Sequence, residues 1–124
     1  MIDHITIRVS HLKRSKAFYD RTLAPLGMNV VLGDEKSGFF GYGTHGPELE
    51  IAKQTKKDPA HARIHIAFKV KSKKIVDQFY QEALTAGGTD NGKPGPRPDY
   101  TPTYYAAFVR DPDGNNIEVC YYQK

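Results

Sequence analysis

The sequence predicts an α+β fold in which two βαβββ modules in tandem form a curved mixed sheet around a cleft, with helices on the outer face. The first observation behind this prediction is an internal repeat, because the segment 4–9 reappears as 65–70 and the segment 46–51 matches 114–119. The second is the alternation of apolar and polar residues in both copies, which is typical of half-buried strands. One domain over 1–124 is therefore expected to contain module one at 1–54 and module two at 60–124.

In module one, alternation predicts a first strand over 3–9. Ser10 or Ser15 can cap the helix that follows, which is expected to stop at Gly27. Pro25 fits the last helical turn poorly, so we expect the helix to end early or to be distorted there. Short strands are then predicted at 29–32, 38–43 and 48–52.

In module two, Ser72 begins a helix that Gly87 and Gly88 close. A brief strand near Thr89 and two longer strands at 104–110 and 116–122 follow. The Asp-Pro-Asp-Gly sequence at 111–114 predicts a tight turn between the last two strands.

The segment 92–102 interrupts the repeat and is too rich in proline to form a helix or a central strand. We expect it to be a binding loop at the mouth of the cleft, where Arg97, Tyr100 and Tyr104 are available to a polar or anionic ligand. A surface connection without a function is the alternative interpretation.

Composition excludes some functional classes. The chain has 124 residues, of which 39% are hydrophobic and 26% are charged, as in ordinary globular domains. The single cysteine, Cys120, excludes an internal disulfide and suits a reducing compartment. No apolar run is long enough for a membrane span and no signal peptide begins the chain, so we expect a cytoplasmic protein without a membrane partner. The net charge of +4 is scattered and no nucleic-acid motif accompanies it, which favours a small and possibly anionic substrate over a nucleic acid.

Each module carries one histidine and one glutamate at equivalent positions of its first and last strands. Residues two apart in a strand share a face, so His4 and His65 point away from the predicted helices, as do Glu50 and Glu118 in the last strands. If the two sheets curve together, these side chains can converge on one Ni, Co, Zn, Mn or Fe ion. The alternative is that they are ordinary polar residues on the wet face of a sheet.

The duplicated module, with a His on the first strand and a Glu on the last, resembles the vicinal oxygen chelate superfamily. This superfamily includes glyoxalase I, extradiol dioxygenases, fosfomycin-resistance enzymes, methylmalonyl-CoA epimerase and the metal-free bleomycin-binding proteins. The resemblance covers the whole chain, and its most specific segments are 4–9, 65–68 and 110–118.

The resemblance implies a glyoxalase-like lyase or isomerase, similar to lactoylglutathione lyase, that acts on a small carbonyl or thiol-conjugated substrate. In such a site His4, Glu50, His65 and Glu118 bind the metal, and Glu50 or Glu118 is the catalytic base. Arg8 falls where glyoxalase I has an arginine that meets a glutathione carboxylate, and Gln54 stands where an Asn is expected.

The same resemblance leaves other functions open. A metal-free sequestration protein of the bleomycin-resistance type would lack the ligands that are present here. Dioxygenases and fosfomycin-resistance enzymes use only the two His and one Glu, which would be His4, His65 and Glu118. Homodimers are common in the superfamily, and an open module edge would favour one.

Overall fold

The computed structural model describes all residues, 1–124, and contains two modules with the same order of elements. Module one consists of β1 (Ile5–Val9), α1 (Leu12–Leu23), a 3-10 turn (Ala24–Leu26), β2 (Asn29–Asp34), β3 (Phe39–Gly43) and β4 (Leu49–Lys53). Module two consists of β5 (His65–Lys69), α2 (Lys73–Thr85), β6 (Thr89–Pro96), β7 (Tyr104–Arg110) and β8 (Asn116–Tyr122). Neither helix is long and apolar enough to cross a membrane.

Each module forms its own four-stranded mixed sheet. The strand order is β1-β4-β3-β2 in module one and β5-β8-β7-β6 in module two. The first and last strands of each module pair in parallel, and the other pairs are antiparallel. The predicted α+β fold with duplicated βαβββ modules is confirmed, and both sheets are open rather than closed.

The helix ends follow from local sequence. His11 precedes α1 without a side-chain cap, since Ser10 instead binds Asp113 through its backbone N–H, 3.1 Å from Oδ2. The α-helical part stops at Leu23 and Pro25 lies in the 3-10 turn, which confirms the predicted distortion. The hydroxyl of Ser72 accepts a hydrogen bond of 3.3 Å from the Ile75 N–H and caps α2 as predicted.

The proline-rich segment differs from its prediction. β6 continues through Pro96, so the binding loop expected at 92–102 was wrong for its first half, and the connection to β7 covers only 97–103. β6 is the edge strand of its sheet, where a residue without an N–H can face away from the neighbouring strand. The register shifts around Gly92, whose φ of 152° few other residues adopt.

Both modules share one hydrophobic core on the helix side of their sheets. Its buried residues include Phe18 and Tyr19 of α1, Phe79 and Tyr80 of α2, and the helix-facing residues of both sheets. The two helices also pack against each other. Neither helix packs on the other face of its sheet, and in module two only the connection 97–103 lies over part of that face. We call these surfaces the open faces.

A polar network around Asp111 connects the modules beside this core. The Asp111 carboxylate, only 4% exposed, accepts hydrogen bonds from the Tyr19 hydroxyl at 2.6 Å, the Asp113 N–H at 3.0 Å, and the Asn115 N–H and side-chain amide at 2.9 and 3.0 Å. Asn115 in turn donates to the His61 carbonyl and accepts from the Ile64 N–H. The turn at 111–115 therefore connects α1, the segment between the modules and the start of β8.

Candidate functional site

Glu118 lies at the centre of the open face of module two. It pairs in register with Ala67 of β5 and Phe108 of β7, and it is only 3% exposed. The His65 Nε2 atom is 2.9 Å from Glu118 Oε1, and the Tyr104 hydroxyl donates a hydrogen bond to Oε2. Both carboxylate oxygens are therefore held within the chain, and His65 stays half exposed beside them.

The Tyr104 hydroxyl and the Cys120 thiol near Glu118 keep their protons. Burial raises the pKa of Tyr104, and its hydrogen bonds with Cys120 and Glu118 raise it further. Burial also raises the pKa of the Cys120 thiol, which is 5% exposed. Tyr104 therefore acts as a hydrogen-bond donor to the carboxylate, and Cys120 is a packed thiol rather than a nucleophile.

The open face of module one carries the matching pair in a more open setting. Its His4 lies just before β1, where Nδ1 is 2.7 Å from Asp3 Oδ1, and the hydrogen bond to Asp3, with the charge of Glu50, raises the pKa of His4. Glu50 pairs in register with Thr6, whose hydroxyl donates to Glu50 Oε1 at 3.1 Å. Oε2 of Glu50 has no partner, and a pocket of about 370 Å³ lies beside it.

The other predicted binding residues of module one are partly engaged. Arg8 Nη1 donates to the Lys53 carbonyl at 3.1 Å, and Nη2 lies 3.8 Å from an Asp58 carboxylate oxygen. The side-chain oxygen of Gln54 accepts from the Ala60 N–H at 3.2 Å. Both side chains hold the segment between the modules, although the Arg8 side chain also lines the pocket beside Glu50.

The three residues predicted from the proline-rich segment lie on or beside the open face of module two. The guanidinium of Arg97 lies over the ring of Phe108, with 5.4 Å from its carbon to the ring centre. Tyr100 packs edge-on against Tyr104, with ring centres 5.2 Å apart, and Tyr100 is 59% exposed. Tyr104 is buried and contacts Glu118 instead of facing solvent.

The four candidate metal ligands form two pairs, not one cluster. No group of three or more His, Cys, Asp or Glu side chains is close enough together to hold a metal ion. The donor chemistry, imidazole with carboxylate, fits a divalent transition metal, but each open face offers only two donors. A site with all four requires the open face of module one to meet the open face of a module two, which a single chain does not achieve.

The accessible surface of the chain is larger than expected for a compact monomer. The accessible area is 7308 Å², against roughly 6700 Å² expected for a compact monomer of this mass. Exposed apolar side chains on module one contribute to the excess: Ile5, Val30, Val31 and Leu32. Leu32 lies on the open face, since a Cβ on Gly41 would touch both Leu32 and Glu50.

A further cavity lies away from the open faces. A groove of about 550 Å³ runs between α1 and α2, and its polar lining includes the exposed ion pair of Arg21 and Glu82. It contains neither an imidazole nor an unpaired buried acid. The paired residues on the open faces, rather than this groove, are therefore the candidate site.

The sequence did not reveal the partners of the two carboxylates. The hydrogen bonds from Thr6 to Glu50 and from Tyr104 to Glu118 were not predicted. The turn at 111–114 does set the register of β7 on β8, and this register would have placed Phe108 opposite Glu118. Tyr104 lies four residues along β7 from Phe108, so its contact with Glu118 depends on its rotamer, which alternation does not predict.

Known proteins share this architecture. The family model described as the Glyoxalase/Bleomycin resistance protein/Dioxygenase superfamily matches residues 1–119. A glyoxalase/bleomycin resistance protein from Albidiferax ferrireducens is 28% identical, with a TM-score of 0.81 and 96% of each chain covered. A putative glyoxalase from Bacillus halodurans is 25% identical, with a TM-score of 0.73, covering 98% of this chain and 95% of its own.

A third solved structure agrees in fold. Lactoylglutathione lyase from Agrobacterium tumefaciens is 19% identical, with a TM-score of 0.67, and the match covers 98% of this chain and 92% of that one. The family match extends over nearly the whole chain and coincides with the duplicated βαβββ architecture. The chain belongs to the glyoxalase/bleomycin resistance protein/dioxygenase superfamily.

Proposed function

We propose that this protein is a divalent-metal-dependent lyase or isomerase that acts on a small carbonyl compound or its thiol conjugate. The observation that carries the proposal is the recurrence of one His and one Glu at equivalent positions on both open faces, with His65 Nε2 and Glu118 Oε1 2.9 Å apart. Membership of the superfamily and the fold shared with a lactoylglutathione lyase support the same chemistry.

The active form in this proposal is a homodimer. Module one of one chain faces module two of the other, so that His4 and Glu50 approach the partner's His65 and the partner's Glu118. Two features support this arrangement: each open face carries half of the donors, and the exposed apolar side chain of Leu32 lies beside Glu50 on the open face of module one. Twofold symmetry would form two such sites per dimer.

A Ni, Co, Zn, Mn or Fe ion held by these four residues would supply Lewis-acid polarisation of the substrate carbonyl. The chain's own residues divide the remaining work. Glu118 is held at both oxygens by His65 and Tyr104, so it is suited to act as a metal ligand in a fixed position. Glu50 has a free Oε2 beside a pocket, so we assign it the proton transfer at the carbon next to the carbonyl.

The first test is the metal content of the untagged protein, measured by elemental analysis after loading and desalting. Wild-type protein should retain close to one metal ion per chain, and a His4→Ala/His65→Ala double variant should retain almost none. Glu50→Gln should lose turnover of a methylglyoxal–glutathione hemithioacetal more than it loses metal, whereas Glu118→Gln should lose both.

A mixing experiment tests the shared site. The single variants His4→Ala and His65→Ala each damage every site of their own homodimers. A mixed dimer of the two contains one site with both histidines intact, so co-refolding equal amounts should restore about one quarter of the wild-type metal content. Mixing His4→Ala with His4→Ala/His65→Ala is the matched control and should restore none.

A metal-free result would change the function. If the wild-type protein retains no divalent metal after loading, the proposed enzyme is wrong and ligand sequestration becomes the better hypothesis. If metal binds but co-refolding restores none, the site does not lie between chains.

A further inference from the structure

Arg97 is a fixed cation without an acidic partner. Its Nη2 donates to the Lys93 carbonyl at 2.6 Å and its Nη1 to the Pro96 carbonyl at 3.3 Å. The guanidinium lies over the Phe108 ring, and no carboxylate forms an ion pair with it, in contrast to Arg14 and Arg21. Its other N–H donors therefore have no protein acceptor.

Two glycines make room for this arrangement. A Cβ on Gly92 would lie 2.8 Å from Phe108 Cδ1 and 3.3 Å from Arg97 Nη2, and one on Gly95 would lie 3.4 Å from Nη1. The side chain is thus seated in a space that larger residues would close. An arginine held in one place by carbonyls and a ring loses little conformational entropy when it binds an anion.

The position of Arg97 relates it to the candidate site. Phe108, which supports the guanidinium, pairs in register with Glu118, and the His65 ring centre is 6.4 Å from that of Phe108. Arg97 consequently lies on the same open face as His65 and Glu118. A substrate bound at the paired residues could reach Arg97 with a second polar group.

The turn that carries the cation also carries an exposed aromatic side chain. Arg97 and Tyr100 belong to one turn, closed by a hydrogen bond of 3.0 Å from the Tyr100 N–H to the Arg97 carbonyl. Tyr104 supports the exposed Tyr100 ring edge-on, and the Tyr104 carbonyl accepts from the Arg97 N–H at 2.8 Å. The same turn therefore presents an exposed aromatic ring and a guanidinium with free donors on one face, which suits a planar molecule that carries a carboxylate.

We infer that Arg97 and Tyr100 recognise a small aromatic carboxylate, such as an aromatic 2-oxo acid, as the substrate of this site. Arg97 binds the carboxylate through its free donors and Tyr100 contacts the ring. The identification of this ligand as a substrate rests on the proposed function, but its binding does not.

Calorimetric titration with benzoylformate tests the inference, using the full-length protein and a chelator so that no metal contributes. The wild-type protein should bind benzoylformate in the millimolar range or tighter and should bind its neutral methyl ester at least tenfold more weakly, by roughly the strength of one hydrogen bond to a charged group. Arg97→Gln should lose a similar factor for benzoylformate. Arg21→Gln, which removes an equal charge from the helix side, should bind like the wild type.

The ring contact is tested separately. Tyr100→Leu should weaken benzoylformate about fivefold and leave the weaker binding of pyruvate, which has no ring, unchanged. The inference is overturned if the wild type does not bind benzoylformate, if the ester binds equally well, or if Arg97→Gln matches the wild type. Since metal content is measured without this ligand, a failure here is distinct from a failure of the proposed metal site.

Discussion

Removing the Asp111 carboxylate should destabilise the protein more than any other single polar change that leaves the open faces intact. Asp111 is 4% exposed and accepts four hydrogen bonds, from the Tyr19 hydroxyl, the Asp113 N–H and two groups of Asn115. Tyr19 and Asn115 are fully buried, so water cannot replace the lost acceptor at either.

The magnitude follows from these contacts. A hydrogen bond to a charged group stabilises a protein by about 1.5–3 kcal/mol, but bonds to one carboxylate do not add independently. We therefore expect Asp111→Ala to lower the free energy of unfolding by about 4 kcal/mol. Asp111→Asn keeps the shape but places an amide N–H against a donor, so it should lose about 2 kcal/mol. Tyr19→Phe removes one bond and should lose about 1.5 kcal/mol.

Urea denaturation followed by far-ultraviolet circular dichroism measures these differences. All variants must be compared at one protein concentration, because association would make apparent stability depend on it. The slope of the free energy against urea should stay constant if the folded state keeps its compactness. An Asp111→Ala variant within about 1 kcal/mol of the wild type would refute the role of the network.

Three further outcomes are expected. Tyr104→Phe should lower the free energy of unfolding by about 1–2 kcal/mol and should also lower metal retention, because Glu118 loses its buried hydrogen-bond donor. Tyr122→Phe should change neither quantity, because the exposed Tyr122 hydroxyl has no partner. Burial raises the pKa of Tyr19 and Tyr42 well above 10.0, so above pH 10 these tyrosines ionise in the unfolded chain before they ionise in the folded one. Their contribution to the free energy of unfolding should therefore be fully present below pH 10 and should fall above it by about 1.4 kcal/mol per pH unit for each tyrosine. Unfolding measured together with tyrosinate absorbance checks this, and the fall should be less steep in Tyr42→Phe. Gly92→Ala should displace Arg97 and lower the free energy of unfolding by about 1–3 kcal/mol. A Gly92→Ala variant that keeps the wild-type affinity for benzoylformate would contradict the close packing of Gly92 against Arg97 and Phe108.

Most of the fold could be predicted because the two halves of the sequence repeat the pattern of one module. The duplicated segments and the alternation of polarity predicted both modules, and β7 and β8 have their predicted ends because the turn at 111–114 lies between them. The error in β6 came from applying a rule for central strands to an edge strand, where Pro94 and Pro96 are tolerated. Whether a strand lies at the edge or in the centre of a sheet depends on the strand order, which the alternation of polarity does not encode.

The candidate site was predictable only in part, for a similar reason. Alternation correctly placed His65 and Glu118 on the same face, and the structure brings them into contact. Whether the two open faces meet is decided by how α1 and α2 pack, through side chains such as Phe18 and Phe79 in the shared core. Those contacts join the helix sides of the modules and leave the polar pairs of one chain apart.

The environment of Glu118 provides the strongest physical argument that the open face is used. A carboxylate that is 3% exposed and flanked by Ala67 and Phe108 is costly to bury, even with Tyr104 and His65 as partners. An apolar residue of similar size would stabilise an isolated sheet at least as well. Glu50 occupies the equivalent position on module one, but Thr6 is its sole partner and one of its oxygens is free. In the proposed metal site this asymmetry would give the two carboxylates different tasks, because one is held at both oxygens, as a fixed ligand would be, and one has a free oxygen that can accept a proton.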